Sequence, residues 1–159
     1  MATAAPDRLI PLHEALGRML AGLQPEPPET VAVADAVGRV LAQRLASRVT
    51  VPPWDNSAVD GFAVRSADLA PADGDHPVTL PVVGEVGAGH EPRDSVLPRT
   101  AVRILTGAML PEGADAVVPV ELTDAPAGSS PLPDAVTIHA RPSAGDNVRR
   151  AGSDVSAGT

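Results

Sequence analysis

Hydrophobic and polar positions change rhythm once along this chain, and the change divides it in two. Apolar residues at Leu12, Ala15, Leu16, Met19, Leu20 and Leu23 keep the three-and-four spacing of one helical face. A helix is therefore predicted within residues 8–23, with Pro11 near its start and the prolines of 25–28 ending it. Val31 and Val33 alternate as a short strand would, and Ala36, Val37, Val40 and Leu41 return to helical spacing across 34–44. Residues 8–46 read as a small helical lobe. From Val49 the pattern becomes short β candidates split by turn residues: Phe62–Arg65, Val78–Val86, Ser95–Leu105, Ala116–Leu122 and Ala135–Ala140. Their spacing suits a small barrel or sandwich. Ala125–Asp134, rich in Ala, Pro, Gly and Ser, reads as a loop between two strands. No internal repeat is visible. Residues 142–159 are rich in Gly, Arg and Asp, and the chain stops there without a capping element, as a cut polypeptide would. The expected fold class is α+β, a helical lobe beside a β-rich, barrel-like lobe.

Composition narrows the chemistry. With 159 residues and 43% hydrophobic content the chain is long enough and apolar enough for a real core. Trp54 and Phe62 are its only aromatics, so that core must come from Val, Leu, Ala and Ile and offers few platforms for stacking bases. Its 18 prolines, about twice the usual share, exclude long helices from the middle of the chain. All 12 basic residues are Arg, which removes Schiff-base chemistry and a phosphate-loop lysine. The absence of Cys removes disulfides, thiolate chemistry and Cys-built zinc sites. A net charge of -8 argues against nucleic acid as a partner. No apolar run approaches a membrane span, and no signal segment opens the chain, so a cytoplasmic protein without a membrane partner is expected.

Four histidines (His13, His76, His90, His139) stand far apart in unlike contexts, without metal-ligand spacing, and no nucleophilic triad can be assembled. Three polar constellations remain. The first is Pro52–Val64, where two prolines, Trp54, Asp55, Asn56, Ser57 and the Asp60-Gly61 pair make either a rigid turn into a strand or a ligand loop. The second is Arg103–Val118, where an apolar strand runs into Thr106-Gly107 and a Pro-Glu-Gly turn precedes another strand. Thr106-Gly107 offers a hydroxyl and backbone N–H groups to an anion; a plain connection with Gly113 at positive φ is equally compatible. The third is Gly145–Val155, whose Arg149, Arg150 and Asp154 suit either a phosphate grip or a solvated loop with local pairing. Carboxylates, a hydroxyl and Arg together best suit a Mg²⁺-phosphate ligand.

Taken in order, these three segments, with Ala36–Ala42 ahead of them and Glu121 and Gly158 behind, resemble the N-terminal half of the molybdopterin molybdotransferase family, MoeA in bacteria and the gephyrin E domain in animals. The resemblance covers most of residues 8–159. It implies molybdenum cofactor biosynthesis: molybdate insertion into adenylylated molybdopterin, with Mg²⁺ assisting cleavage of the adenylate. It also implies a homodimer whose cleft is shared between subunits, with a molybdopterin adenylyltransferase as the upstream partner. On that basis residues 8–46 and 147–159 form a helical and linker lobe used for dimerisation, and 47–146 a β lobe contributing to the cleft. Asp60 and Asp154 take the catalytic and Mg²⁺ roles, while Ser57, Thr106, Gly107 and Arg149 contact substrate. The family's α/β pterin-binding domain is not in this sequence, so the fragment alone is expected to be inactive. Ser153 replaces an acid that often precedes Asp154 in the family. A non-catalytic dimeric scaffold of the same fold is the alternative function.

Overall fold

In the computed structural model, which describes residues 9–72, 75–126 and 131–159, the chain forms one unit ending at Arg44 and a second from Leu45 to Thr159. The first unit carries helix α1 (Leu12–Leu20), which starts after Pro11, whose fixed φ suits a helix start and whose carbonyl accepts from the Glu14 and Ala15 amides. Glu14 and Arg18, one turn apart, pair at 2.6 Å. The face that the spacing picked out, Leu12, Leu16, Met19 and Leu20, is exposed, and no α1 residue is buried. The helix expected over 34–44 is absent. A single 3₁₀ turn, Val33–Asp35, stands there instead, and it takes in Val33 of the expected strand at Val31–Val33. Gly38 at φ 80° breaks the helical path, and valines at 33, 37 and 40 hold helices poorly. No helix among the described residues is long and apolar enough to cross a membrane.

The second unit is built on a five-stranded sheet. Its strands are β2 (Gly61–Val64), β3 (Val78–Val86), β4 (Ala101–Ile104), β5 (Ala116–Pro119) and β6 (Ala135–Ile138), in spatial order β5-β2-β4-β3-β6. All neighbours are antiparallel except β3 and β4. A two-stranded ribbon joins β1 (Asn56–Ser57) to β7 (Val148–Arg149). Two apolar clusters clothe the sheet. Phe62, Val64, Leu69, Leu80, Val118, Val136 and Ile138 belong to one, and Ala63, Val86, Val96, Val102, Ile104 and Val117 to the other. Adjacent residues of β2 enter opposite clusters, so this central strand is buried along its whole length. After β5 the chain makes a 3₁₀ turn at Val120–Leu122, and Thr123 then bridges Ile138 of β6. Asp124 N–H donates to the Thr137 carbonyl at 3.1 Å and His139 N–H to the Leu122 carbonyl at 3.0 Å. The two edges of the sheet are thus tied together, and the sheet curls into a half-barrel.

Two expected boundaries move. Of Ser95–Leu105 only Ala101–Ile104 is strand, because Arg99 at φ 63° and the Thr100 N–H to Leu97 carbonyl bond make a turn ahead of it. Residues 147–159, grouped beforehand with the helical lobe, lie in the second unit, where Val51 pairs with Val155 and β7 with β1. Of the expected loop Ala125–Asp134, residues 127–130 lie outside the described residues.

Candidate functional site

Residues 51–60 form a spine with the second motif on one side and the third on the other. Toward the second, Leu110 N–H donates to the Asp55 carbonyl (2.9 Å), Ser57 N–H to Ala108 (3.0 Å) and Gly107 N–H to Ser57 (2.8 Å). Toward the third, Ala58 N–H donates to Asn147 (2.9 Å), Gly152 N–H to Pro52 (2.9 Å) and Asp154 N–H to Val51 (3.0 Å). Residues 50 to 103 apart in sequence are therefore zipped into one structure by backbone bonds. Asn147, at φ 57°, donates its side-chain amide to the Val117 carbonyl at 2.9 Å. Asn tolerates that left-handed backbone better than most residues do.

The chemistry centres on Asp60. It stands just before β2, and Thr106 stands two residues after β4, the strand beside it. Asp60 Oδ1 accepts from the Thr106 amide at 2.7 Å and from the Thr106 hydroxyl at 2.6 Å. The Thr106 hydroxyl, and then its backbone N–H, hold the Asp60 carboxyl below its ordinary 3.8 although Asp60 is exposed. The result is a fixed carboxylate with Oδ1 engaged. What lets Asp60 sit there is Gly61, since a methyl at Gly61 would stand 2.0 Å from the Val118 carbonyl oxygen of β5.

The structure redistributes the roles expected from sequence. Asp60, Thr106 and Gly107 come together, but the Thr106 and Gly107 amides are spent on Asp60 and Ser57, so neither is open to an anion. The Thr106 hydroxyl, whose proton goes to Asp60, meets a ligand only as an acceptor. Ser57 is fully buried, and its hydroxyl is closed in a local turn with the Val59 carbonyl (2.5 Å) and amide (3.2 Å). Its part is to shape the loop. Arg149 reaches both Asp154 oxygens, at 3.3 and 3.4 Å, with each side chain about half exposed. Asp154 thus faces a guanidinium instead of standing open to a cation.

Asp55 and Arg150 carry roles that the sequence reading left unassigned. Asp55 accepts from Arg150 Nη1 at 2.5 Å and from the Ala151 amide at 2.8 Å, which clamps the first motif to the third. The Ala151 N–H, helped by Arg150 and opposed by burial, holds the Asp55 carboxyl below 3.8. The signal was present as an acid beside Trp54 and a doubled Arg, but spacing cannot pair residues 95 apart.

Among the described residues no three of His, Cys, Asp or Glu gather into a metal cage. A Mg²⁺ ion carried on phosphate needs only one or two protein carboxylates, and the Asp60 carboxylate, with its described bonds on Oδ1, fits that need. Asp154 is paired with Arg149 while remaining about half exposed.

Comparison with known proteins identifies the family. Residues 10–159 match the family model described as MoeA N-terminal region (domain I and II). The molybdopterin molybdenumtransferase 2 of Mycobacterium tuberculosis is 42% identical over 132 residues, 83% of this chain and 31% of that protein. The molybdopterin molybdenumtransferase of Bacillus subtilis is 40% identical over 152 residues, 94% of this chain and 34% of that protein. The crystal structure of the molybdopterin biosynthesis moeA protein from Pyrococcus horikoshii OT3 superposes with a TM-score of 0.74 at 33% identity, covering 96% of this chain and 39% of that one. This chain spans about a third of the length of the curated relatives it matches. With a family match over nearly its whole length, the chain belongs to the MoeA N-terminal region family.

Proposed function

We propose that this chain supplies the N-terminal share of a molybdopterin molybdenumtransferase, which inserts molybdate into adenylylated molybdopterin during molybdenum cofactor biosynthesis. The observation that carries this reading is the Asp60–Thr106 pair, in which a hydroxyl and an amide of one motif fix the carboxylate of another. Held below 3.8, Asp60 stays ionised throughout the neutral range, and its fixed oxygen gives the ligand's phosphate end a constant geometry to meet. Mg²⁺, when bound, would neutralise phosphate charge, and Asp60 is the residue proposed to hold it. The Asp55–Arg150 clamp keeps the third motif beside the first, and within that motif Arg149 is exposed enough to exchange Asp154 for a phosphate oxygen. Homodimerisation is proposed as well, and the exposed apolar face of α1 (Leu12, Leu16, Met19) is a candidate contact.

The test is complementation. The protein as its gene encodes it in full should restore molybdoenzyme activity to a bacterium lacking its own molybdenumtransferase, and Asp60→Asn should abolish the rescue. Failure of the wild-type protein, or full rescue by Asp60→Asn, would overturn the reading.

A further inference from the structure

At one end of the half-barrel three neighbouring strands bring their loops side by side. Asp60 leads into β2, Thr106 follows β4, and the turn Gly87-Ala88-Gly89-His90 follows β3, which runs parallel to β4. The last two touch. Leu105 N–H donates to the Val86 carbonyl at 3.1 Å, and methyl groups placed at Gly87 and Gly107 would lie 4.0 Å from Leu105 Cδ1 and Ala88 Cβ respectively. The turn is closed by the His90 N–H to Gly87 carbonyl bond at 3.2 Å, with Gly89 at φ 78°. His90 is exposed, and its Nδ1 lies 3.1 Å from the Ala88 carbonyl. A carbonyl only accepts, so Nδ1 carries the proton and Nε2 is the ring atom left for a ligand.

Charge decides what that ligand is. The chain is strongly acidic, and the arginines of the second and third motifs are each engaged by a carboxylate: Arg103 by Glu85, Arg149 by Asp154 and Arg150 by Asp55. An anionic ligand arriving beside the Asp60 carboxylate gains from a further hydrogen-bond donor at this end, and the turn that carries His90 lies against the Thr106–Gly107 loop.

We propose that His90 is a ligand-contacting residue of the Asp60–Thr106 site, its Nε2 hydrogen-bonding a tetrahedral oxyanion of the substrate. This rests on the function proposed above. The shared chemistry is a doubly charged oxyanion, whose source is either the adenylate phosphate or molybdate.

The experiment uses the full-length protein with ¹³C-labelled histidine, titrated separately with adenosine monophosphate and with inorganic molybdate. It is paired with steady-state assays of His90→Ala, His90→Gln and Asp60→Asn. The proposal predicts that one of the two ions moves the His90 Cε1–H resonance and leaves His13, His76 and His139 in place, and the responsive ion names the source. It also predicts that His90→Ala raises the KM of the matching substrate about 10-fold, the loss of one hydrogen bond to a charged oxygen. His90→Gln, which keeps a donor, should stay within about 3-fold of wild type. A resonance unmoved by both ions, or an unchanged KM in His90→Ala, overturns the proposal. If Asp60→Asn is then still inactive, the proposed function stands without His90; if Asp60→Asn is also fully active, both fall.

Discussion

Replacing Gly61 by Ala tests the register that carries Asp60. The added methyl would stand 2.0 Å from the Val118 carbonyl oxygen, 2.9 Å from its carbon and 3.0 Å from Pro119 Cα, all backbone of β5. Carbon and oxygen in ordinary contact sit about 3.3 Å apart, so β5 would have to retreat by about 1.3 Å. Neither wall yields cheaply. β2 is held between β4 and β5, and Phe62 and Val64 beside the glycine are fully buried in the core. Overpacking of this kind costs about 1–3 kcal/mol, and backbone walls place it near the upper end. Restricting the unfolded chain returns about 0.4–1 kcal/mol, leaving a net loss of about 2 kcal/mol. Urea unfolding followed by Trp54 fluorescence should move its midpoint down by about 1 M, taking a slope of about 2 kcal/mol per M. Because the Asp60 carbonyl also accepts from Val120 N–H at 3.0 Å, the same displacement should shift the Thr106 amide resonance. A midpoint within about 0.2 M of wild type would refute the pairing of Gly61 with Pro119 and, with it, the placement of Asp60.

Further outcomes follow from the clamp and from the helix. Asp55→Asn loses the ionic bond to Arg150, and with the Arg150 side chain 62% exposed the cost should be about 1 kcal/mol in urea unfolding at pH 7. The Asp55 carboxyl is held below 3.8 in the folded chain, so its contribution is present above that pH and disappears as pH falls through the folded value. The gap between wild type and Asp55→Asn should therefore be flat at neutral pH and close below about pH 3.8; a gap that widens on acidification would contradict the sign. Gly17→Ala, inside α1 with nothing within 4 Å of the new methyl, should raise α1 helicity and stabilise it by about 1 kcal/mol, read by circular dichroism and amide exchange.

Strands were legible from sequence where short apolar stretches stand between turn residues. Val78–Val86 has the limits expected of it, β5 and β6 fall inside their expected ranges, and β2 starts and ends one residue before its expected limits. Residues 34–44 misled because apolar spacing alone does not register that Gly38 turns left-handed while Val33, Val37 and Val40 stay exposed. The site divided in the same way. Asp60 and Thr106 could be named from their motifs, and they meet because β2 pairs with β4. Ser57 looked available until its hydroxyl was found closed on Val59, and Asp55 looked incidental until the fold brought it to Arg150. Local pattern identifies residue types and strand limits. Which polar groups remain for a ligand depends on partners that, for Asp60 and Asp55, lie 46 to 96 residues away.

The central claim, that Asp60 held by Thr106 is a working part of a molybdenum-inserting site, meets its most direct test in vitro. Purified full-length protein and its Asp60→Ala and Thr106→Val variants would be given adenylylated molybdopterin, molybdate and Mg²⁺, and molybdenum-loaded cofactor would be measured over time. The account predicts a loss of 100-fold or more for Asp60→Ala, about 2.7 kcal/mol or more of lost stabilisation, and a smaller loss for Thr106→Val, with circular dichroism unchanged in both. Wild-type rates in a folded Asp60→Ala protein would contradict it.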